Sequence, residues 1–312
     1  MQYQTLETVK LPISRMILGT GIDAFWQGKN CDSGLDTAFE LGINTFDTAR
    51  VYGKAENVLG DWIERRNLRE KVNILSKGGH PGFLGIKRLS QKAILADVEA
   101  SLQALKTDYI DIYLLHRDNP SVPVDEMVET LNILYVKGKI HAFGGSNWTH
   151  QRLQEANEYA YKHNMEPFKF SSPCYGLASM KKSLPTYDMV GVRGDAQAEA
   201  WYRENQMPLL AYSPLGHGLF TGKIDTPKQL SPLWVRSAFG TEENFATLQR
   251  CQHLAIEKGY SVAQIALAWA MRGEMNVFPI IGTASPKHLR ASVEAMEISL
   301  TEEEYSYLLQ KA

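Results

Sequence analysis

Short apolar runs recur along this 312-residue chain, each separated from the next by enough residues to cross back over a sheet. They lie at Met16–Gly19, Ile43–Phe46, Val72–Ser76, Tyr109–Leu115, Ile140–Gly144, Phe168–Phe170, Pro208–Ala211 and Val277–Ile281. Most are near-continuously apolar and bounded by turn or polar residues, the pattern of strands covered on both faces. Between them the spacing predicts helices over Asp32–Leu41, Ser90–Leu105, Val124–Lys137, His150–His163, Asp195–Asn205, Glu242–Lys258 and Pro286–Ala295, with a last one at Thr301–Lys311. Ser90 is placed to cap one start, and Gly42, Gly138 and Gly259 to end others. Eight strands alternating with helices predict a closed (β/α)8 TIM barrel. The alternative, a doubly wound open sheet, is weakened in its dinucleotide-binding form. No Gly-rich turn follows the first strand with an acid about 20 residues on.

No Pro/Gly/Ser-rich linker divides the chain, so residues 1–312 are read as one barrel domain. Residues 1 to 12 precede the repeat and are expected to form an N-terminal hairpin. Two long irregular segments, Ser172–Gly194 after strand six and Ser213–Thr241 after strand seven, stand out, because loops of that length are uncommon and are usually either functional or disordered. Phe220, Trp234 and Phe239 in the second imply that it packs over something.

Composition narrows the function classes. At 44% hydrophobic and 22% charged the chain can bury a large core. A formal charge of -2 with no basic stripe argues against nucleic acid or an anionic membrane as partner. No apolar run approaches the ~20 residues of a membrane span, and the N-terminus lacks a signal-peptide pattern. Cys31, Cys174 and Cys251 are scattered and odd in number, as for reduced thiols in a cytoplasmic protein. No His pair with a carboxylate has metal-ligand spacing, so no metal site is expected.

In such a barrel chemistry is expected where strands end and loops begin. Asp47 ends strand two, with Tyr52 on the loop beyond it. Lys77 follows strand three, His116 closes strand four, Ser146-Asn147 end strand five, and Tyr212 ends strand seven. Singly, each has a structural reading: a rim ion pair for Asp47 and Lys77, a hydrogen-bonded rim histidine, a half-buried tyrosine. A charged Lys after Val72-Asn73-Ile74-Leu75-Ser76 is costly unless paired, and Asp47 on the neighbouring strand is the available partner. Together with Tyr52 and His116 they form a proton-donating device. A cation beside a tyrosine lowers its pKa from about 10, and an imidazole can hold the oxygen being protonated.

The chain resembles the aldo-keto reductases. The resemblance rests on Gly19-Thr20-Gly21, Gly42-Ile43-Asn44-Thr45-Phe46-Asp47-Thr48-Ala49, Tyr52-Gly53, the Lys77 strand end and Asp108-Tyr109-Ile110-Asp111 through His116. It continues through Gly138-Lys139-Ile140, Gly145-Ser146-Asn147 and Ala211-Tyr212-Ser213-Pro214-Leu215. It implies an NAD(P)H-dependent reductase of a small aldehyde or ketone. Asp47, Tyr52, Lys77 and His116 would form the catalytic tetrad: Tyr52 the general acid, Lys77 its cationic neighbour, Asp47 the anchor of Lys77, and His116 the orienting donor. Ser146 and Asn147 would hold the nicotinamide carboxamide and Tyr212 would stack on the ring, with Gly19, Thr20, Asp47, Ser213 and Leu215 also contacting the cofactor.

Two positions depart from the family pattern. Ser172, in Ser171-Ser172-Pro173-Cys174-Tyr175, stands where a carboxamide-binding Gln is usual, and a serine reaches less far. Near the end, Gly282, Thr283, Ser285 and His288 fall in the segment that grips the adenosine 2′-phosphate, with His288 in place of the usual arginine and Lys287 adjacent. The expected cofactor is therefore NADPH, with NADH possible. For Lys287 and Arg290 a solvated helix face is the other reading. With the chain ending at Ala312, an open pocket is expected, bordered by Trp26, His80 and Trp148 or simply packed by them. The expected partner is a small-molecule carbonyl substrate, and the expected state a monomer or weak homo-oligomer. Two readings compete: a cofactor-binding regulatory subunit resembling the potassium-channel β-subunits, and a barrel enzyme of other chemistry, such as an isomerase or lyase.

Overall fold

In a computed structural model the chain is described over residues 1–82, 85, 87–181 and 188–310. A two-stranded antiparallel hairpin comes first, β1 (Tyr3–Gln4) on β2 (Ile13–Ser14). The repeat then runs β3 (Ile17–Gly19), α1 (Asp23–Trp26), α2 (Asp32–Glu40), β4 (Thr45–Asp47), α3 (Ala55–Arg66), β5 (Asn73–Gly78) and α4 (Gln91–Leu105). It continues with β6 (Ile110–Leu115), α5 (Asp125–Val136), β7 (Ile140–Ser146), α6 (His150–Lys162) and β8 (Phe170–Ser172). The second half holds α7 (Ala196–Asn205), β9 (Leu209–Ala211), α8 (Leu233–Phe239), α9 (Glu242–Lys258), α10 (Val262–Arg272), β10 (Val277–Ile281), α11 (Pro286–Glu294) and α12 (Glu302–Leu309). The strands close in the order β10-β3-β4-β5-β6-β7-β8-β9, a (β/α)8 barrel.

By its internal contacts the chain falls into two compact units, residues 1–172 with 282–289, and residues 173–281 with 290–312. In the first, β3 to β8 pair in parallel, and every residue of β4, β5 and β6 is buried. The hairpin lies against the N-terminal ends of β4 and β5. The Ser14 N–H donates to Asn44 Oδ1 at 3.0 Å, Asn44 Nδ2 donates to the Pro12 carbonyl at 2.8 Å, and Asn73 Nδ2 to that of Leu11 at 3.3 Å. These polar ties fix the closed end and leave the opposite rim for chemistry. In the second unit β9 and β10 pair in parallel from Val277↔Leu209 to Pro279↔Ala211.

Several strands extend further toward that rim than the apolar runs predict. β5 includes Lys77 and Gly78, β7 reaches Ser146, and β8 covers Phe170–Ser172 rather than residues 168–170. Polar residues that read as breaks are in the ladder, because backbone pairing to the neighbouring strand is indifferent to side-chain polarity. Among the described residues four helices, α1, α3, α8 and α10, lie outside the predicted set. α10 is buried around most of its circumference, from Ile265 through Ala270, so it shows no polar face to mark its period. Its signal is a capping box, with the Gln264 N–H donating to Ser261 Oγ at 3.3 Å and the Ser261 N–H to Gln264 Oε1 at 3.0 Å. α8 falls within the irregular segment expected at residues 213–241, where Phe220 and Phe239 are buried. Of the other long segment, positions 182–187 lie outside the described residues, as does Lys311 of the last predicted helix.

α3 carries Gly60 in mid-helix, which weakens its reading as a helix by propensity. The glycine is there for packing. A Cβ at Gly60 would stand 2.7 Å from the backbone Cα, C and O of Leu105, where α3 packs against α4. Gly60→Ala is expected to destabilise the fold by about 1–3 kcal/mol, because two helix backbones must separate. Urea unfolding checks this: the midpoint falls with the slope kept, and an unchanged midpoint would show that the helices part without cost.

Candidate active site

In the first unit the side chains at the C-terminal ends of β4, β5 and β6 converge. Asp47 is the last residue of β4, opposite Leu75 of β5. Pairing then continues past the strand's end, the Thr48 N–H donating to the Leu75 carbonyl and the Arg50 N–H to the Lys77 carbonyl, each at 2.8 Å. Tyr52 closes a turn immediately beyond, its N–H donating to the Ala49 carbonyl at 2.9 Å. The next ladder, β5 on β6, positions His116, whose N–H donates to the Gly78 carbonyl at 2.7 Å.

Lys77 and Asp47 form an ion pair with side chains only 3% and 5% exposed, and Lys77 Nζ also donates to the Thr48 carbonyl at 3.0 Å. Burial works to lower the Lys77 pKa, but Asp47 and Tyr52 outweigh it and hold the ammonium above its ordinary value. Lys77 Nζ lies 5.2 Å from the centre of the Tyr52 ring. Tyr52 in turn meets His116 edge-on at 5.7 Å, and Trp26 stacks on Tyr52 at 5.8 Å. The expected lowering of the Tyr52 pKa is not the net result: burial raises it, and Lys77 pulls against that. The phenol therefore stays protonated, with a cation in place for the phenolate that remains once the proton leaves. His116 is driven well below its ordinary range by burial first, then by Lys77 and Arg117, so its imidazole is neutral.

Ser146, Asn147 and Ser172 sit together on β7 and β8. Ser146 Oγ donates to the Ser172 carbonyl at 3.0 Å, as does the Asn147 N–H at 3.1 Å. Asn147 Nδ2 reaches the His116 carbonyl at 3.2 Å and Ser146 Oγ at 3.1 Å. Asn147 adopts φ 57°, a left-handed backbone that asparagine tolerates and that turns its amide across the rim. Thr20 is fully buried one residue beyond β3, its N–H bonded to the Asp47 carbonyl at 2.8 Å, directly after Gly19. A Cβ at Gly21 would meet the Tyr52 ring at 3.2 Å, so the third residue of that motif makes room for the tyrosine.

Gly282, Thr283 and Ser285 form the turn into α11, with the Ser285 N–H donating to Thr283 Oγ1 at 3.1 Å. His288 and Lys287 are exposed in the first turn of that helix, next to backbone donors unused by it. In the second unit, half-buried Tyr212 follows β9, its N–H donating to the Pro173 carbonyl at 3.2 Å. Ser213 has φ 53°, and its hydroxyl bonds His217 Nε2 at 2.9 Å across a turn that includes Leu215. Burial lowers the His217 pKa to about 4.

Of the three residues expected at the pocket border, Trp26 is 45% exposed and His80 half-buried, but Trp148 is fully buried against Phe168. A Cβ at Gly145 would come within 2.5 Å of its indole, which shows how tightly the strand covers it. Trp148 is packing. Arg117 was not among the expected site residues, yet its charge bears on Tyr52, His80 and His116 at once. The available signal was a cation directly after the strand-ending histidine.

Residues 29–312 match the Aldo/keto reductase family. An uncharacterized oxidoreductase, YrpG, of Bacillus subtilis (strain 168) is 29% identical over 97% of this chain and 93% of its own length. A 6-dehydroglucose reductase of Agrobacterium fabrum is 28% identical over 93% and 91% of the two chains. A putative voltage-gated potassium channel subunit beta of Schizosaccharomyces pombe is 30% identical over 86% and 78%.

The buried neutral His116 links stability to pH. Its folded pKa lies below its unfolded value of about 6.5, so the unfolded chain takes up the proton first. Stability is full above that value and falls as pH drops below it, by at most ~1.4 kcal/mol per unit for this group. Between pH 6.5 and 5, His116→Phe is expected to show a shallower loss in urea unfolding than wild type. Equal slopes would mean His116 is protonated in the fold.

Proposed function

Because the chain belongs to the aldo/keto reductase family, we propose that it reduces an aldehyde or ketone to the alcohol with a reduced nicotinamide cofactor, Tyr52 being the proton donor. The observation that carries this reading is the fully buried Lys77–Asp47 pair set beside a protonated Tyr52 that faces His116. The cofactor, when bound, supplies a hydride to the carbonyl carbon. Tyr52 gives its proton to the carbonyl oxygen, Lys77 stabilises the phenolate left behind, and neutral His116 orients that oxygen by a hydrogen bond. Asp47 keeps Lys77 charged and fixed.

The residues present suit such a cofactor. Ser146, Asn147 and Ser172 offer a buried hydroxyl and amide cluster for the carboxamide, and Gly19 and Thr20 line the end of β3 beside Asp47. Tyr212 offers a partly exposed ring, with Ser213 and Leu215 following it. The turn Gly282, Thr283 and Ser285, with His288 and Lys287 exposed beside it, suits a phosphate and favours NADPH over NADH. A second reading, a cofactor-binding regulatory subunit, draws support from the likeness to the Schizosaccharomyces pombe protein. Turnover separates the two: tight NADPH binding without sustained reduction of any carbonyl would favour the subunit reading.

Tyr52→Phe is expected to lower kcat by about a hundredfold or more while leaving the NADPH dissociation constant unchanged, because only the proton donor is lost. Steady-state rates with fluorescence titration of the cofactor check this; an unchanged kcat would remove Tyr52 from the chemistry. His288→Arg is expected to tighten NADPH by about tenfold and NADH hardly at all, through a charge-assisted bond to the 2′-phosphate. Equal tightening of both would place His288 away from the phosphate.

A further inference from the structure

His80 stands three residues beyond Lys77 and is half-buried at the rim of the site. Its ring meets His116 edge-on at 5.0 Å, extending the row of rings Trp26, Tyr52 and His116 by one member. His80 Nδ1 lies 2.9 Å from the Pro81 carbonyl oxygen. A carbonyl oxygen only accepts, so Nδ1 carries the hydrogen. Burial first, then the charge of Arg117, lowers the His80 pKa, against the pull of that same carbonyl, so the ring is neutral near pH 7. In a neutral imidazole with Nδ1–H, Nε2 is an acceptor. No described residue donates to it, and the atom is not sealed from solvent.

The two imidazoles thus have complementary roles. His116 faces the oxygen that Tyr52 protonates, and its neighbour offers a lone pair. A simple aldehyde has nothing to give that lone pair. An aldehyde with a hydroxyl on the adjacent carbon does, with its second oxygen one bond further along.

We propose that His80 is a specificity-determining residue of the reductase site, accepting a hydrogen bond from the hydroxyl next to the substrate carbonyl, so that α-hydroxyaldehydes are preferred to their deoxy counterparts. The inference rests on the reductase reading. Its basis is desolvation: a substrate that covers Nε2 without donating to it leaves a polar atom unpaired, which penalises the deoxy compound. Trp26, 45% exposed and stacked on Tyr52, adds an apolar wall for the C–H face of a short hydroxylated chain.

The test compares kcat/KM for glyceraldehyde and propanal in wild type, His80→Phe and His80→Gln with saturating NADPH. Wild type is expected to favour glyceraldehyde. His80→Phe keeps an aromatic ring but no acceptor, and should lower the glyceraldehyde to propanal ratio by about three- to tenfold, glyceraldehyde losing its bond and propanal no longer leaving an acceptor unpaired. His80→Gln, which restores an acceptor oxygen, should recover part of the ratio. Saturation-transfer NMR should show glycerol, and not propan-1-ol, losing contact with His80→Phe. A ratio unchanged by His80→Phe, or both aldehydes slowed equally, overturns the inference and leaves the reductase reading intact. Absence of turnover on either aldehyde and on a wider carbonyl panel overturns both.

Discussion

A lysine and an aspartate side by side in the wall of a barrel, both cut off from water, is the constraint to which the rest of the site answers. Taking either charge out of water is expensive, and their mutual attraction offsets this only with good geometry and further hydrogen bonds. The fold supplies both. Asp47 and Lys77 lie on consecutive strands, where the register of β4 on β5 leaves little freedom, and the Thr48 carbonyl takes a further hydrogen of the ammonium. Removing one partner leaves the other as an uncompensated buried charge, an effect on the order of 3–5 kcal/mol. The pair is therefore costly to alter whatever the chain's activity, and its value lies in holding a permanent cation where water cannot screen it.

That cation changes what a half-buried tyrosine can do. Burial alone would make Tyr52 a poor acid, since phenolate is poorly tolerated in an apolar setting. With Lys77 beside its ring, the proton is held firmly at rest and the charge that appears on release is already matched. The cationic partner of Tyr52 is legible in the sequence, but the net direction of the shift is not. Burial of the phenol depends on Trp26, His116 and the β3–α1 turn closing around it, and none of those contacts can be read from the order of residues.

What could be read was the alternation. Strand-like runs were found in each position the barrel uses, and because consecutive strands of a barrel are neighbours, Asp47 could be set beside Lys77 before any coordinates. The readings that needed correction share one cause. α3 hides behind Gly60, a residue selected by the approach of Leu105, and α10 hides behind its own all-round burial. Trp148 stayed open between pocket border and packing, because its place after Asn147 says nothing of the direction it faces. The acceptor on His80 is set by a carbonyl oxygen one residue away, a contact of backbone shape that no side-chain pattern records.

The ladder between β4 and β5 does not stop at Asp47: it runs on through Thr48 and Arg50, almost to Tyr52. The tyrosine sits in a turn anchored directly to the barrel wall, its N–H donating to the Ala49 carbonyl. Loops sample nanosecond to microsecond excursions, whereas amides locked in a buried sheet are released only when a large cooperative unit opens. In the proposed reaction the proton donor is held by a turn tied to that scaffold, so any slow step tied to opening and closing must be borne by other segments, and the acid waits in place between one substrate and the next.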